Sequence, residues 1–282
     1  MLDADLLVNA LSALEVGQFG EALEPATTWA KTFDQQFFAS IAIVCLAAFV
    51  QATVGFAAAL LGLPLLLWAG NDLMTSQVMI ITAMMPQNIL SVWKLRKSIN
   101  VREVLLPAAI RISALPIGIA GLSVVMTWTS AGVNQLVGAI ILFALAIQAL
   151  IGIEWKNARK LHWLIATFGG SGILQGLSGM SGPPMVLWVH GQRFSADHAR
   201  GFLFSMYISN FIPQMLMLFA KFGTPVISAA TTALFSIPLV LISASLGLKL
   251  GSWFGDRRLR PLTYCCLFAL AICSVLRPWL NF

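Results

Sequence analysis

From residue 37 onward the sequence is a nearly unbroken series of apolar segments joined by short polar loops. A helix that crosses a bilayer needs about 20 apolar residues. The segments cover residues 37–53, 56–69, 73–94, 104–126, 130–151, 161–177, 181–190, 196–220, 223–250 and 261–281. Two of them, 56–69 and 181–190, are too short to span comfortably. This pattern predicts an all-α polytopic membrane protein.

The composition excludes an ordinary soluble domain. Hydrophobic residues make up 59% of the chain and charged residues only 10%, whereas about a quarter of a soluble domain is charged. The net charge of +6 suits basic loops that set membrane orientation better than a nucleic-acid partner. The four cysteines lie in apolar runs without metal-ligand spacing and are interpreted as small buried apolar residues. We expect a lipid bilayer around the protein, no nucleic acid, no metal and no cofactor.

Basic residues predict the orientation of the segments. They cluster in loops at 94–102, 156–160 and 249–260, which the positive-inside rule assigns to the cytoplasm. Counting crossings from these loops makes 37–69 a hairpin that enters from outside and 161–190 a hairpin that enters from inside. Both termini are then periplasmic. The acidic segment 1–36 is expected outside or at the interface, as an amphipathic helix or as a loosely ordered tail.

The sequence also contains an internal repeat. The hexapeptide LFALAI occurs at 142–147 and at 267–272, an offset of 125 residues. Four further matches have offsets of 120 to 124: Gln51/Gly55 with Gln175/Gly179, Trp68 with Trp188, Asn88 with Asn210, and Pro116 with Pro238. We interpret 37–155 and 156–282 as duplicated halves of five elements each, a broken helical hairpin followed by three spans. An odd number of crossings per half makes the repeat inverted, as in secondary transporters with substrate at the repeat interface.

The hairpin breaks carry most of the candidate substrate-binding residues. They read QATVGFAAALLGLP at 51–64 and QGLSGMSGPPMVLW at 175–188. Glycine and proline allow a turn and a new helix, and free N–H groups at a helix N-terminus suit an anion. The alternative is that the small residues serve close helix packing, as in Gly172-x-x-x-Gly176. The candidates at the breaks are Gln51, Thr53, Gly55, Gln175, Ser178, Gly179, Ser181 and Gly182.

Three polar residues deep in long segments complete the candidate site. Asn88 and Asn210 should face the interior of the bundle, where they either bind substrate or only hold the hairpin tips. Arg111 is the single ionisable residue deep in a predicted span, with no Asp or Glu at comparable depth. A guanidinium there suggests attraction of an anion, and the alternative is that it snorkels toward the interface.

The two motifs VGFAAALLGLPLLLW (54–68) and GLSGMSGPPMVLW (176–188) resemble those of the sulfite exporter TauE/SafE family, also called the toluene sulfonate uptake permease family. The resemblance extends from about residue 37 to the C-terminus. The first motif differs from the family pattern in having Ala57, Ala58 and Ala59 where glycine is more usual. The resemblance implies a bacterial inner-membrane carrier for small sulfur-containing anions such as sulfite, sulfoacetate or aromatic sulfonates.

The expected function is secondary transport of such an anion by alternating access. An anion channel of the same architecture is the first alternative, and a non-transport scaffold or intramembrane enzyme is the second. An enzyme is not expected, because the sequence has no H-E-x-x-H or G-x-S-x-G motif and no paired intramembrane aspartates. The sequence is compatible with a homodimer.

Overall fold

The computed structural model describes residues 35–54, 57–149, 160–192, 194–254 and 256–279. All regular structure in these ranges is helical. The acidic segment predicted at 1–36 lies almost entirely outside the described residues.

The helices follow the predicted segments, and their ends differ from the predicted ones by at most five residues. The segment predicted at 161–177 is one continuous helix, α6, which runs from Leu161–Leu164 through a π turn at Ile165–Gly169 to Gly170–Ser178. The others are α1 (Gln35–Val54), α2 (Ala58–Trp68), α3 (Leu73–Leu95), α4 (Val101–Val125), α5 (Ser130–Ala149), α7 (Gly182–Gly191), α8 (Ala196–Phe222), α9 (Thr224–Phe254) and α10 (Asp256–Leu276).

Among the described residues, six helices are long and apolar enough to cross a bilayer: α1, α3, α4, α5, α8 and α9. The two short segments are confirmed as short helices, since α2 has 11 residues and α7 has 10. At a rise of 1.5 Å per residue each is about 15 Å long, half of the hydrocarbon thickness. The chain is therefore a multi-pass helical membrane protein with two half-length helices.

Polar residues in the loops cap the N-termini of several long helices. The Asp72 carboxylate accepts the Thr75 backbone N–H at 2.8 Å before α3. The Asn100 side chain accepts the Arg102 N–H at 3.2 Å before α4, and Ser195 accepts the His198 N–H at 3.3 Å before α8. Each side chain satisfies one of the N–H groups that a helix leaves unpaired at its start.

Helices α4 and α6 pack backbone to backbone, which confirms close packing at Gly172-x-x-x-Gly176. A Cβ atom on Gly172 would lie 2.3 Å from the Arg111 carbonyl oxygen, and one on Gly176 would lie 2.6 Å from that of Leu115. Gly118 of α4 is equally close, because its Cβ would lie 2.2 Å from the Ile173 carbonyl oxygen. This contact brings Arg111 directly beside α6.

An aromatic cluster holds the second short helix. The Trp188 ring of α7 stacks on Phe202 of α8 at a centroid distance of 5.3 Å and meets Phe168 of α6 edge-on at 5.2 Å. All three side chains are buried. Such pairs add to the burial of apolar area and restrict the angle between neighbouring helices.

Residues Ile41–Phe282 form one compact unit that contains the whole of the candidate site. The expectation that all four cysteines are buried is wrong in this unit. Cys265, Cys266 and Cys273 of α10 are exposed, and Cys45 is half-buried. The three lie on faces of α10 that no other described helix covers.

Candidate functional site

A cavity lies between the starts of the two short helices. Its empty space is about 660 Å³, opening included. Apolar groups such as Met84, Met85 and Phe211 form part of the wall, and no Asp or Glu is among the described lining residues. The polar lining side chains are Gln51, Asn88, Arg111, Gln175, Ser181, Tyr207 and Gln214.

Arg111 lies on the wall of this cavity and is only 1% exposed. Its Nη1 donates a hydrogen bond to the Met206 carbonyl oxygen at 2.7 Å. Its Nη2 donates to Gln175 Oε1 at 3.0 Å and to Ser181 Oγ at 2.6 Å. The side chain therefore joins α4 to α6, α7 and α8 and does not snorkel to the interface.

The Arg111 guanidinium retains donors that these contacts do not use. It has five N–H groups, of which three are committed, and Nε has no partner among the described residues. No carboxylate of the described residues lies within 4.0 Å of it. The guanidinium makes a cation–π contact with Tyr207, whose ring centre lies 5.8 Å from the guanidinium carbon. A buried cation without a counter-ion is costly unless an anion or water reaches it.

A network of amides supports one wall of the cavity. Gln175 Nε2 donates to Gln214 Oε1 at 2.7 Å, and Asn210 Nδ2 donates to the same oxygen at 2.9 Å. The Gln175 carbonyl oxygen accepts Gln77 Nε2 at 2.8 Å and Gln214 Nε2 at 3.3 Å. These bonds hold the Gln175 side chain with its oxygen toward Arg111.

A simpler pair supports the opposite wall. Gln51 Nε2 at the end of α1 donates to Asn88 Oδ1 of α3 at 3.3 Å. Both residues are buried and both line the cavity. The two predicted repeat partners Gln51 and Gln175 therefore each contact an amide on a long helix.

Both short helices begin at the cavity. Ala57, just before α2, has φ 91°, a left-handed conformation that is rare for a residue with a Cβ atom. No described side chain caps α2 or α7. The first N–H groups of α2, on Ala58, Ala59 and Leu60, belong to lining residues and precede the first intrahelical bond, from Leu61 N–H to the Ala57 carbonyl oxygen. These donors carry the positive end of the helix dipole.

The structure brings most of the sequence-predicted residues together. Gly179 adopts φ 73°, which ends α6 and allows the turn into α7. Thr53 and Ser178 do not line the cavity. Their hydroxyls donate to the carbonyl oxygens of Val50 and Leu174 in their own helices. Asn210 lies behind Gln214, and Gly55 lies outside the described residues. The predicted residues on the cavity are Gln51, Asn88, Arg111, Gln175, Gly179, Ser181 and Gly182.

Sequence reasoning missed three polar contributors: Gln77, Tyr207 and Gln214. Gln77 and Gln214 are fully buried amides in apolar helices, the signal that singled out Asn88 and Asn210. Tyr207 is one of only two tyrosines in the chain. Its hydroxyl lies at the α7 start, where a Cβ on Gly182 would be 3.4 Å from it.

Comparison with known proteins gives one match. The family model described as Sulfite exporter TauE/SafE matches residues 40–273. The searches of curated proteins and of solved structures gave no match.

Proposed function

Because this chain belongs to the sulfite exporter TauE/SafE family, we propose that it moves a small sulfur-containing anion across the membrane through the cavity around Arg111. The observation that carries this proposal is the buried Arg111 guanidinium, which belongs to the cavity lining, has no carboxylate partner among the described residues and keeps N–H donors that no described group accepts. An oxyanion would supply the missing negative charge and accept those donors.

The rest of the wall suits an anion as well. The neutral donors of Gln51, Tyr207 and the α2 start can contact oxyanion oxygens without a competing negative charge. Ser181 Oγ accepts from Arg111 and keeps its own proton for another acceptor. A site of positive and neutral donors favours anions over cations and zwitterions.

The cavity has room for a small solute. One water needs about 10–15 Å³ of internal space, and the cavity offers several times that. A small oxyanion such as sulfite or thiosulfate can therefore be accommodated.

We propose that transport occurs by alternating access between two inverted halves. Support comes from the paired contacts of Gln51 with Asn88 and of Gln175 with Gln214, one in each predicted half. Further support comes from two half-length helices that start at one cavity, as in transporters with broken helices near the midplane. Rocking of the halves would expose the cavity to each side in turn.

We assign the protein to the bacterial inner membrane with both termini periplasmic, an orientation that rests on the basic loops at 94–102, 156–160 and 249–260. Fusions of alkaline phosphatase and of a fluorescent protein to the C-terminus test this orientation. An active phosphatase and a dark fluorescent protein are expected, and the opposite pattern would reverse the assignment.

Flux measurements in proteoliposomes test the function. Radiolabelled sulfite, thiosulfate, sulfate, sulfoacetate and an aromatic sulfonate are presented from either side, with protein-free liposomes as the control. We expect saturable flux of at least one small sulfur anion and stimulation by the same anion on the other side. Absence of saturable flux for every anion from both sides would refute the proposal. Large single-channel currents would instead identify an anion channel.

A further inference from the structure

A second concavity lies on the surface of the bundle between α3, α8 and α9. Its empty space is about 990 Å³, opening included, and its lining is apolar except for Thr82. Ile89 and Leu234, which line it, are 51% and 53% exposed. Exposed apolar side chains on membrane-spanning helices face lipid. We call this concavity the outer groove.

The outer groove is about as long as one lipid leaflet is thick. Its lining on α3 extends from Thr82 to Trp93. Eleven residues at a rise of 1.5 Å give about 16 Å, close to half of the hydrocarbon core of about 30 Å. A single acyl chain lying along α3 would fill this length.

One end of the outer groove carries a cationic anchor. Trp93 is 61% exposed, and the Arg96 guanidinium lies 5.0 Å from the centre of its ring. Tryptophan and arginine together mark the level of lipid headgroups. Exposed Lys94 and Lys97 flank Arg96, and no Asp or Glu occurs from residue 73 to 102. Negative headgroups are therefore favoured at this end.

The other end of the outer groove adjoins the cavity around Arg111. Met85 and Phe211 line both spaces. An acyl chain in the groove would therefore rest against side chains that form the wall of the candidate site.

We propose that the outer groove binds one anionic phospholipid, with an acyl chain along α3 and its phosphate at Arg96. The chain contributes apolar burial, and the basic residues discriminate between headgroups. The bound lipid supports Met85 and Phe211 from the side opposite the polar cavity. This site concerns lipid, and its test does not depend on which solute is transported.

Native mass spectrometry of the detergent-purified chain tests the proposal. The protein is titrated with dioleoyl phosphatidylglycerol, with dioleoyl phosphatidylcholine and with glycerol phosphate. Leu234→Trp fills the outer groove, and Leu239→Trp is its control, because Leu239 lies on the same helix, is 50% exposed and does not line the groove. Arg96→Gln removes the anchor, and Arg102→Gln removes an exposed charge in the first turn of α4 as its control. Ile89→Trp replaces Leu234→Trp if that variant is poorly folded by thermal unfolding.

One phosphatidylglycerol should bind about fivefold more tightly than phosphatidylcholine, the equivalent of about 1 kcal/mol for one basic residue. Leu234→Trp should abolish this binding and Arg96→Gln should equalise the two lipids, while both controls retain the preference. The proposal is overturned if glycerol phosphate binds as tightly as the lipid, or if Leu234→Trp and Leu239→Trp retain lipid equally. It is also overturned if Leu234→Trp changes the number of chains per particle, which would identify the groove as a contact between copies.

Discussion

At the level of single residues, Arg111 combines two roles in one side chain. It joins three helices by hydrogen bonds and supplies the positive charge of the cavity. Replacement by Gln removes the charge, whereas replacement by Lys keeps the charge but not the planar set of donors. Comparing the two variants separates binding of an anion from support of the fold.

We predict that Arg111→Gln raises the KM for the transported anion about ten- to hundredfold, the equivalent of about 1.5–3 kcal/mol for a charged hydrogen bond. Arg111→Lys should retain more affinity than Arg111→Gln. Flux kinetics and Tm are measured on both, with Arg102→Gln as the control for an exposed charge. Equal loss in both variants, in proportion to a lowered Tm, would assign Arg111 a structural role only.

Ala57 is held in a conformation that glycine adopts without strain. An alanine in the left-handed region costs about 1–2 kcal/mol. Replacement by glycine relieves this strain, but glycine loses more backbone entropy on folding, which cancels part of the gain in stability. We predict that Ala57→Gly raises the stability by about 0.5–1 kcal/mol, measured by chemical unfolding in detergent.

The control for this substitution is Ala59→Gly, two residues further on and inside α2. A glycine at a helical position should lower the stability by about 0.5–1 kcal/mol. A loss of similar size in both variants would show that Ala57 is not strained.

At the level of helices, the approach of α4 to α6 depends on glycine. We predict that Gly118→Ala lowers the stability by about 1–3 kcal/mol, as expected for overpacking, because its Cβ would lie 2.2 Å from the Ile173 carbonyl oxygen. It should also lower the anion affinity, because α4 carries Arg111 and α6 carries Gln175. Thermal unfolding and flux kinetics are the measurements.

Gly170→Ala is the matched control in α6, since no described residue outside the adjacent turns of α6 has an atom within 4 Å of its added Cβ. Alanine favours the helix by up to about 1 kcal/mol over glycine, so this variant should be as stable as the parent or more stable. If the two variants behave alike, the close approach of α4 and α6 is not important for stability.

At the level of the whole molecule, the candidate site is less symmetric than the sequence repeat. In the predicted repeat, Arg111 corresponds to Ala233, 122 residues later. Asn88 lines the cavity, whereas Asn210 lies behind Gln214 and its Oδ1 has no partner. The predicted first half thus supplies the charge, whereas both predicted halves supply buried amides.

We predict unequal effects for the two asparagines. Asn88→Ala should raise the KM about two- to tenfold, the equivalent of one neutral hydrogen bond. Asn210→Ala should change the KM less than twofold, because Gln214 Oε1 keeps its bond from Gln175 and an unpaired buried oxygen is removed. Flux kinetics on both variants decide between this expectation and a symmetric site, for which the two changes would be equal.

The sequence by itself determined the helices, their lengths and the class of protein. A long apolar run in a bilayer folds as a helix, because every backbone N–H and C=O group must find a partner within the segment. For the same reason an isolated polar residue such as Arg111 or Asn88 was recognisable as an interior position. The two glycine-rich motifs indicated the resemblance to the family whose model matches residues 40–273.

Only the tertiary structure decided which polar residues meet. Thr53 and Ser178 satisfy their hydroxyls within their own helices, whereas Gln214 and Tyr207, which no motif contains, reach the cavity. The rotation of each helix sets these contacts, and that rotation depends on packing such as Gly118 against Ile173. The predicted repeat pairs positions along the sequence, but the direction of each side chain depends on its neighbours in space.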